Sequence, residues 1–211
     1  SYNYQNWYPS AEFETKNTTK NIGLFDLTPF SKFELKGENA HEELQKLCTA
    51  NVKNEIGKCT YTQMLNPDGG IETDLTVVCI ERNHFRIISS AATRERDKFH
   101  INKYLSNNLE LKDVTDNYCV LGIFGPHSRS LMQDLSKDDF SKENFKFANS
   151  KYISIDNVKI WTQRLSYVGE LGYELYIEIK DAKKIYNSII EKGAKYKISN
   201  CGMHAMDIMR M

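Results

Sequence analysis

Residues 58–80 read "KCTYTQMLN", then "PDGG", then "IETDLTVVCI". Two runs rich in Thr, Val, Ile and Tyr flank a turn whose glycines supply the positive φ that tight turns need, which is a β-hairpin signal. Asp68 belongs to the turn. Working outward, "FSKFELKG" (residues 30–37) alternates apolar and polar like a half-buried strand, and "HFRIISS" (84–90) gives a third. Between them, "GENAHEELQKLCTA" (37–50) starts a helix. Asn39 is placed to cap it, Glu42 completes a capping box, and Leu44, Leu47 and Cys48 share a face. "TRERDKFHINKYL" (93–105) reads as an amphipathic helix carrying Phe99, Ile101, Tyr104 and Leu105.

The pattern then repeats in outline. "LELKDV" and "YCVLGIFG" are strand-like, Pro126 opens a short helix, and "SKDDFSKENFKF" is a polar connector. Three more strands follow, in "KYISID", "VKIWTQRLS" and "YELYIEI". Asp181 then caps a helix in which Ile185, Ile189 and Ile190 share a side and Gly193 lies near the end. Hairpins outnumber β-α-β crossovers, so the expected class is α+β, with antiparallel sheets flanked by helices. The last segment, "CGMHAMDIMRM", has helix formers and no stop signal, so the chain is expected to be a piece of a longer protein.

The totals narrow the function. A chain of 211 residues makes one large or two small domains. Lys+Arg and Asp+Glu are both 28, which argues against a dedicated nucleic-acid or anionic-membrane surface. No apolar run approaches the ~18 residues of a membrane span. Cys48, Cys59, Cys79, Cys119 and Cys201 form no C-x-x-C, and they read as reduced thiols of an intracellular protein. His41, His84, His100, His127 and His204 are isolated, and no metal site is expected. Rossmann, P-loop and nucleophile-elbow signatures are absent.

What remains are acids beside glycines. On the strand after the Gly-Gly turn, Glu72 and Asp74 share one face while Thr73 and Leu75 take the other. In "RLSYVGELGYELYIEI" (Arg164 to Ile179), Glu170 sits between Gly169 and Gly172. From spacing alone, a solvated strand face and a five-residue hairpin loop are the favoured readings of these acids, ahead of a binding site.

Five segments in order, "NPDGGIETDLTV", "ISSAATRERD", "LGIFGPHSRSLM", "RLSYVGELGYELYI" and "CGMHAMDIMR", resemble the aminomethyltransferase (glycine-cleavage T-protein) family. The likeness is closer still to the folate-binding domain of dimethylglycine and sarcosine dehydrogenases. The opening "NWYPSAEFETKNTTKNIGLFDLTPFSKFELKG" is similar to the start of that domain, so the resemblance runs from about Asn6 to the last residue. It implies an α+β module from residues 1–52 plus 140–211, a ferredoxin-like module inserted at 53–139, and a C-terminal β-barrel domain outside this chain.

The implied activity is tetrahydrofolate-dependent one-carbon transfer. An aminomethyl or iminium carbon from a methylated amine of the dimethylglycine or sarcosine type, or from glycine, gives 5,10-methylenetetrahydrofolate. By the same resemblance, Asp74 steers a proton at the reactive edge and stabilises the cationic intermediate. Glu170 binds the pterin and Tyr167 packs on it. Gly169 and Gly172 let backbone and ring approach, and Tyr61 and Arg164 are pocket neighbours. Arg164 reads equally well as half of a surface pair on a strand.

Tetrahydrofolate is the implied cofactor, with FAD only where an upstream domain carries it. The implied partners are folate, a small amine and a fused or separate FAD-dependent oxidoreductase, with no nucleic acid and no membrane. The expected compartment is the cytoplasm, or the mitochondrial matrix in a eukaryote. Departures from the T-protein pattern are Thr73 in place of the first of two aspartates, Met206 in place of arginine, and Ser90 in place of asparagine; all three favour the dehydrogenase branch. Two alternatives stay open: a non-catalytic regulatory or assembly member of the fold, and a folate-dependent demethylase that moves a whole methyl group.

Overall fold

The computed structural model describes residues 5–211, which divide into two compact units. The first takes the chain up to Thr28, then Tyr118–Phe147 and Lys151–Met211; the second takes Pro29–Asn117 and Ala148–Ser150.

The second unit contains β2 (Ser31–Lys36), α2 (Ala40–Leu47), β3 (Cys59–Leu65), β4 (Ile71–Glu81), β5 (His84–Ser89), α3 (Arg94–Tyr104) and β6 (Glu110–Asp113). Its sheet runs in the order β3-β4-β5-β2-β6, with every pair antiparallel. The expected hairpin is there: Asn66 Oδ1 accepts from Asp68 N (3.0 Å) and Gly70 N (2.8 Å), and Gly69 takes φ +82°. One sheet face buries Phe33, Leu35, Leu75, Val77, Phe85 and Ile87 with Leu44 of α2 and Ile101 of α3.

Two local expectations fail. Asn39 adopts a left-handed backbone (φ 71°) and its side chain makes no cap bond, so the capping box does not form although the helix does. Its residue type suited the αL turn rather than the cap. On α3, Phe99 is 71% exposed and Tyr104 is partly exposed. The helix instead turns Asp97, His100 and Ile101 inward, so its buried face is set by two polar side chains and Ile101 and not by Phe99.

The first unit contains α1 (Tyr8–Lys20), β1 (Ile22–Asp26), β7 (Tyr118–Phe124), α4 (Ser128–Leu135), β8 (Ser150–Ile155), β9 (Val158–Gln163), β10 (Gly172–Glu178), α5 (Ala182–Gly193), β11 (Ile198–Cys201) and α6 (Met203–Arg210). Its sheet order is β11-β1-β7-β10-β9-β8, with β11 parallel to β1 and the β1–β7, β7–β10 and β10–β9 pairs antiparallel. Asn17 Nδ2 of α1 ties the parallel edge, its two hydrogens shared among Ile22 O (3.1 Å), Lys197 O (2.9 Å) and Ser199 Oγ (2.8 Å). Asp181 precedes α5 but makes no side-chain cap bond.

The core of this unit packs Ile123, Leu175 and Ile177 against Leu131 and Met132 of α4 and Ile185 and Ile189 of α5. The polar connector contributes more than its composition suggests, because Phe140 and Phe145 are fully buried against Tyr173 at ring distances of 5.4 and 5.7 Å. Phe145→Ala is expected to cost about 3–5 kcal/mol in urea unfolding. The neighbouring Phe147, 70% exposed, is expected to change stability by no more than about 0.5 kcal/mol when truncated.

The second unit interrupts the first between Thr28 and Tyr118, at other boundaries than the expected 53–139. β2 and α2 were expected in the outer module and lie in the inserted one, because β2 pairs with β5 and β6. β7 and α4 were expected in the inserted module and lie in the outer one, because β7 pairs with β1 and β10. The ferredoxin-like description suits the alternation of strands and helices in the second unit. It suits the pairing too: β2 and β4 run parallel with the antiparallel β5 between them, a split β-α-β, β6 flanks β2, and β3 is an added edge strand.

Candidate functional site

Asp74 sits in the middle of the hairpin's long strand. Its neighbours Thr73 and Leu75 are buried, so alternation turns Asp74 to the open face as the sequence predicted. Tyr61, on β3 and 59% exposed, donates its hydroxyl to Asp74 Oδ2 at 2.8 Å. Glu72, at the start of β4, reaches back to the turn, where its carboxylate accepts from Asn66 Nδ2 at 3.2 Å. The second unit thus brings Asp74 and Tyr61 together: an exposed carboxylate oriented by a phenol, which is the arrangement a proton-handling group requires.

The other sequence-predicted residues gather on one connection in the first unit. Gln163 stands opposite Glu174 in the β9–β10 ladder, so residues 164–171 form an open loop wider than a five-residue hairpin turn. Val168, 4% exposed, anchors the loop. Gly169 takes φ +78°, a backbone that other residues rarely adopt. A Cβ on Gly172 would come within 2.3 Å of the Phe124 ring, so only glycine allows β10 to start there. Glu170 is half-buried on this loop. The Arg210 guanidinium lies 4.0 Å over the Tyr167 ring, a contact the sequence reading did not anticipate. Arg164 turns inward and donates Nη1 to Phe145 O, which holds the aromatic connector and excludes its reading as an exposed strand pair.

Sequence reasoning gave no role to Glu174, four residues beyond Glu170. Its carboxyl is pushed up to about 7, mainly by burial, with the Tyr176 hydroxyl at 3.2 Å pulling the other way. Across the ladder, Gln163 is fully buried and neither its amide oxygen nor its amide nitrogen has a hydrogen-bond partner. Trp161 Nε1, two residues away on the same strand face, is also unpartnered. Buried polar atoms left unpaired cost roughly 1–3 kcal/mol each, so a cluster of them suits a bound ligand or an ordered water. An amide that donates and accepts, an indole N–H and a carboxyl together match the mixed donor and acceptor edge of a planar heterocycle, so these residues fit a pterin. The signal in the sequence is a pair of polar residues, Gln163 and Glu174, inside otherwise apolar strands.

A cavity of about 400 Å³ in the same unit lies beside α5, lined by Leu24, Asp26, Leu121, Lys183 and Tyr186 among others. None of the residues above reaches it. Among the described residues no group of His, Cys, Asp and Glu is arranged to hold a metal ion, and no helix is long and apolar enough to cross a membrane. All five cysteines are free thiols.

The family model described as the GCVT N-terminal domain matches residues 1–211. The mitochondrial dimethylglycine dehydrogenase of Rattus norvegicus is 32% identical over 214 residues, an alignment covering 100% of this chain and 25% of that protein. The aminomethyltransferase of Halothermothrix orenii is 30% identical over 205 residues, covering 97% of this chain and 57% of that one. Among solved structures, the glycine cleavage system aminomethyltransferase T from Bartonella henselae superposes with a TM-score of 0.82 at 20% identity. That match covers 95% of this chain and 53% of that one, and shows a shared fold. The chain therefore spans a quarter of the dehydrogenase and about half of the aminomethyltransferase.

Proposed function

The chain belongs to the GCVT N-terminal domain family, and on that premise we propose that it is the folate-binding part of a tetrahydrofolate-dependent one-carbon transferase. The observation that carries this reading is the unpartnered buried pair Gln163 and Trp161 beside the half-buried Glu174 carboxyl, next to a loop whose glycines and aromatic ring suit a planar ligand. Bound tetrahydrofolate would supply the nitrogen that accepts the carbon.

The chain's own residues would hold and prepare it. Glu170 and Glu174 offer carboxylates to an aminopterin N–H edge, where two parallel acceptors are geometrically favoured. Tyr167, steadied by Arg210, offers a flat apolar face. Asp74, oriented by Tyr61, takes or returns the proton and offsets positive charge on the transferred carbon. The donor we propose is a methylated amine of the dimethylglycine or sarcosine type, oxidised by an FAD-dependent region of the same or a partner protein. The identity to dimethylglycine dehydrogenase over the full chain and the Thr73, Ser90 and Met206 departures support that branch.

The test is an anaerobic calorimetric titration with tetrahydrofolate, on this chain and on the full-length protein. Saturable binding is expected, weakened by about 10- to 100-fold in Glu170→Gln through loss of a charge-assisted contact. No saturable binding to either form would overturn the proposal. Product identification then separates methylene transfer from methyl transfer.

A further inference from the structure

The strand that carries Asp74 is irregular just before it. Met64 stands opposite Thr73 and Leu65 opposite Ile71, so Glu72 is an extra residue on β4, the signature of a β-bulge. A bulge takes its extra residue out of the ladder and re-aims the side chains that follow. Here the Glu72 carbonyl is taken by Arg96 Nη2 of α3. One residue further on, the Thr73 hydroxyl donates to Asp97 Oδ2 at 3.1 Å. Asp97 is 1% exposed, and the same oxygen accepts from the Thr93 hydroxyl at 2.7 Å while Oδ1 lies 3.5 Å from Arg96 Nη2.

Two consecutive residues of one helix therefore grip the two consecutive strand residues that precede Asp74. A buried carboxylate is a costly way to attach a helix to a sheet. Packing alone can supply that attachment, because Ile101 of α3 already lies in the core with Leu75 and Val77. The hydroxyl link and the carbonyl link do something packing cannot. They hold the 72–73 peptide plane and the side-chain direction of Thr73, and so the path of the backbone into Asp74.

We propose that Arg96 and Asp97 are positioning residues: through the Glu72 carbonyl and the Thr73 hydroxyl they lock the β4 bulge and so aim Asp74 at its open-face position against Tyr61. Its catalytic consequence rests on the function proposed above; the geometric lock does not. Misplacement of a reacting group by about 1 Å costs on the order of 100-fold in rate, so a lock at this point has a large effect to exert.

The test uses the full-length protein with 3-fluorotyrosine installed at position 61 alone, so that its ¹⁹F resonance reports the hydrogen bond to Asp74 without any folate present. Thr73→Val, which keeps shape and removes the hydroxyl, and Asp97→Asn are each expected to move that resonance toward its position in Asp74→Ala, which has no acceptor for the Tyr61 hydroxyl. Both are expected to lower kcat by about 10- to 100-fold with KM within threefold. Thr73→Ser is expected to restore both readouts. Arg96→Gln, at a half-exposed side chain that poses little risk to folding, is expected to move them in the same direction.

A Tyr61 resonance that stays at its wild-type position in Thr73→Val and Arg96→Gln, with only the melting temperature lowered, would overturn the lock. Should the wild-type protein transfer no carbon, the proposed function fails, and the fluorine readout still decides the lock.

Discussion

Asp74→Asn is expected to lower one-carbon transfer by about 10²- to 10⁴-fold while leaving tetrahydrofolate affinity within a few-fold of wild type. The substitution preserves volume, and the side-chain oxygen still accepts the Tyr61 hydroxyl, so the local geometry survives. What is lost is the ability to take up a proton and the negative charge that offsets a cationic carbon. Asp74 is exposed and outside the apolar cluster of its unit, so unfolding does not compete as an explanation. Single-turnover transfer and equilibrium binding, measured on the same preparation, separate the two quantities. A variant that binds folate and transfers carbon at the wild-type rate would remove Asp74 from the chemistry. A variant that no longer binds would make it a ligand contact.

Tyr61 refines this expectation. Tyr61→Phe removes the donor and leaves the carboxylate. If the phenol only orients Asp74, the rate falls by less than in Asp74→Asn.

How far these residues could be read in advance depends on how local their determinants are. The Asp74 hairpin was legible because its turn is written in four adjacent residues, and because strand alternation beyond the bulge follows from backbone geometry alone: Asp74 lies on the open side and Thr73 and Leu75 on the buried one. The bulge at Glu72 was not legible, since it shows only when the partner strand is known. The unit boundaries failed for the same reason. β2 finds its partners about fifty and eighty residues downstream, and nothing in "FSKFELKG" says which sheet it will join. Phe140 and Phe145 were hidden by their polar neighbours. The burial of Asp97 was hidden by its place in a strongly charged helix, where only Thr73 and Thr93 explain why a carboxylate is turned inward.

Glu174 is the case in which the sequence was least informative and the expected effect is distinctive. Its carboxyl is raised from 4.5 to about 7 by burial, so the folded chain holds a proton that the unfolded chain has already released. Below pH 4.5 both states are protonated and the group is neutral with respect to stability. Between 4.5 and 7 the folded state binds more protons, and stability therefore falls as pH rises, by on the order of 3 kcal/mol once the carboxyl is ionised in both states. The Glu34 carboxyl, held down to about 2 first by its bond to His84 and then by Arg86, acts in the opposite sense and in a lower window, losing its contribution as pH falls from 4.5 toward 2. Comparison of wild type with Glu174→Gln isolates the first effect. The variant is expected to be the more stable protein at pH 8 in urea unfolding and to show no difference near pH 4.

A native chain that keeps so costly a carboxyl gains nothing from it in folding, which is why a ligand is the natural beneficiary. Donors on the ligand would draw the ionised form back into favour, so binding near pH 6.5 is expected to release a proton. Titrations in phosphate and in Tris would then give different heats for the wild type and equal heats for Glu174→Gln. Equal heats in both proteins, with affinity unchanged by the substitution, would show that the carboxyl takes no part in folate binding.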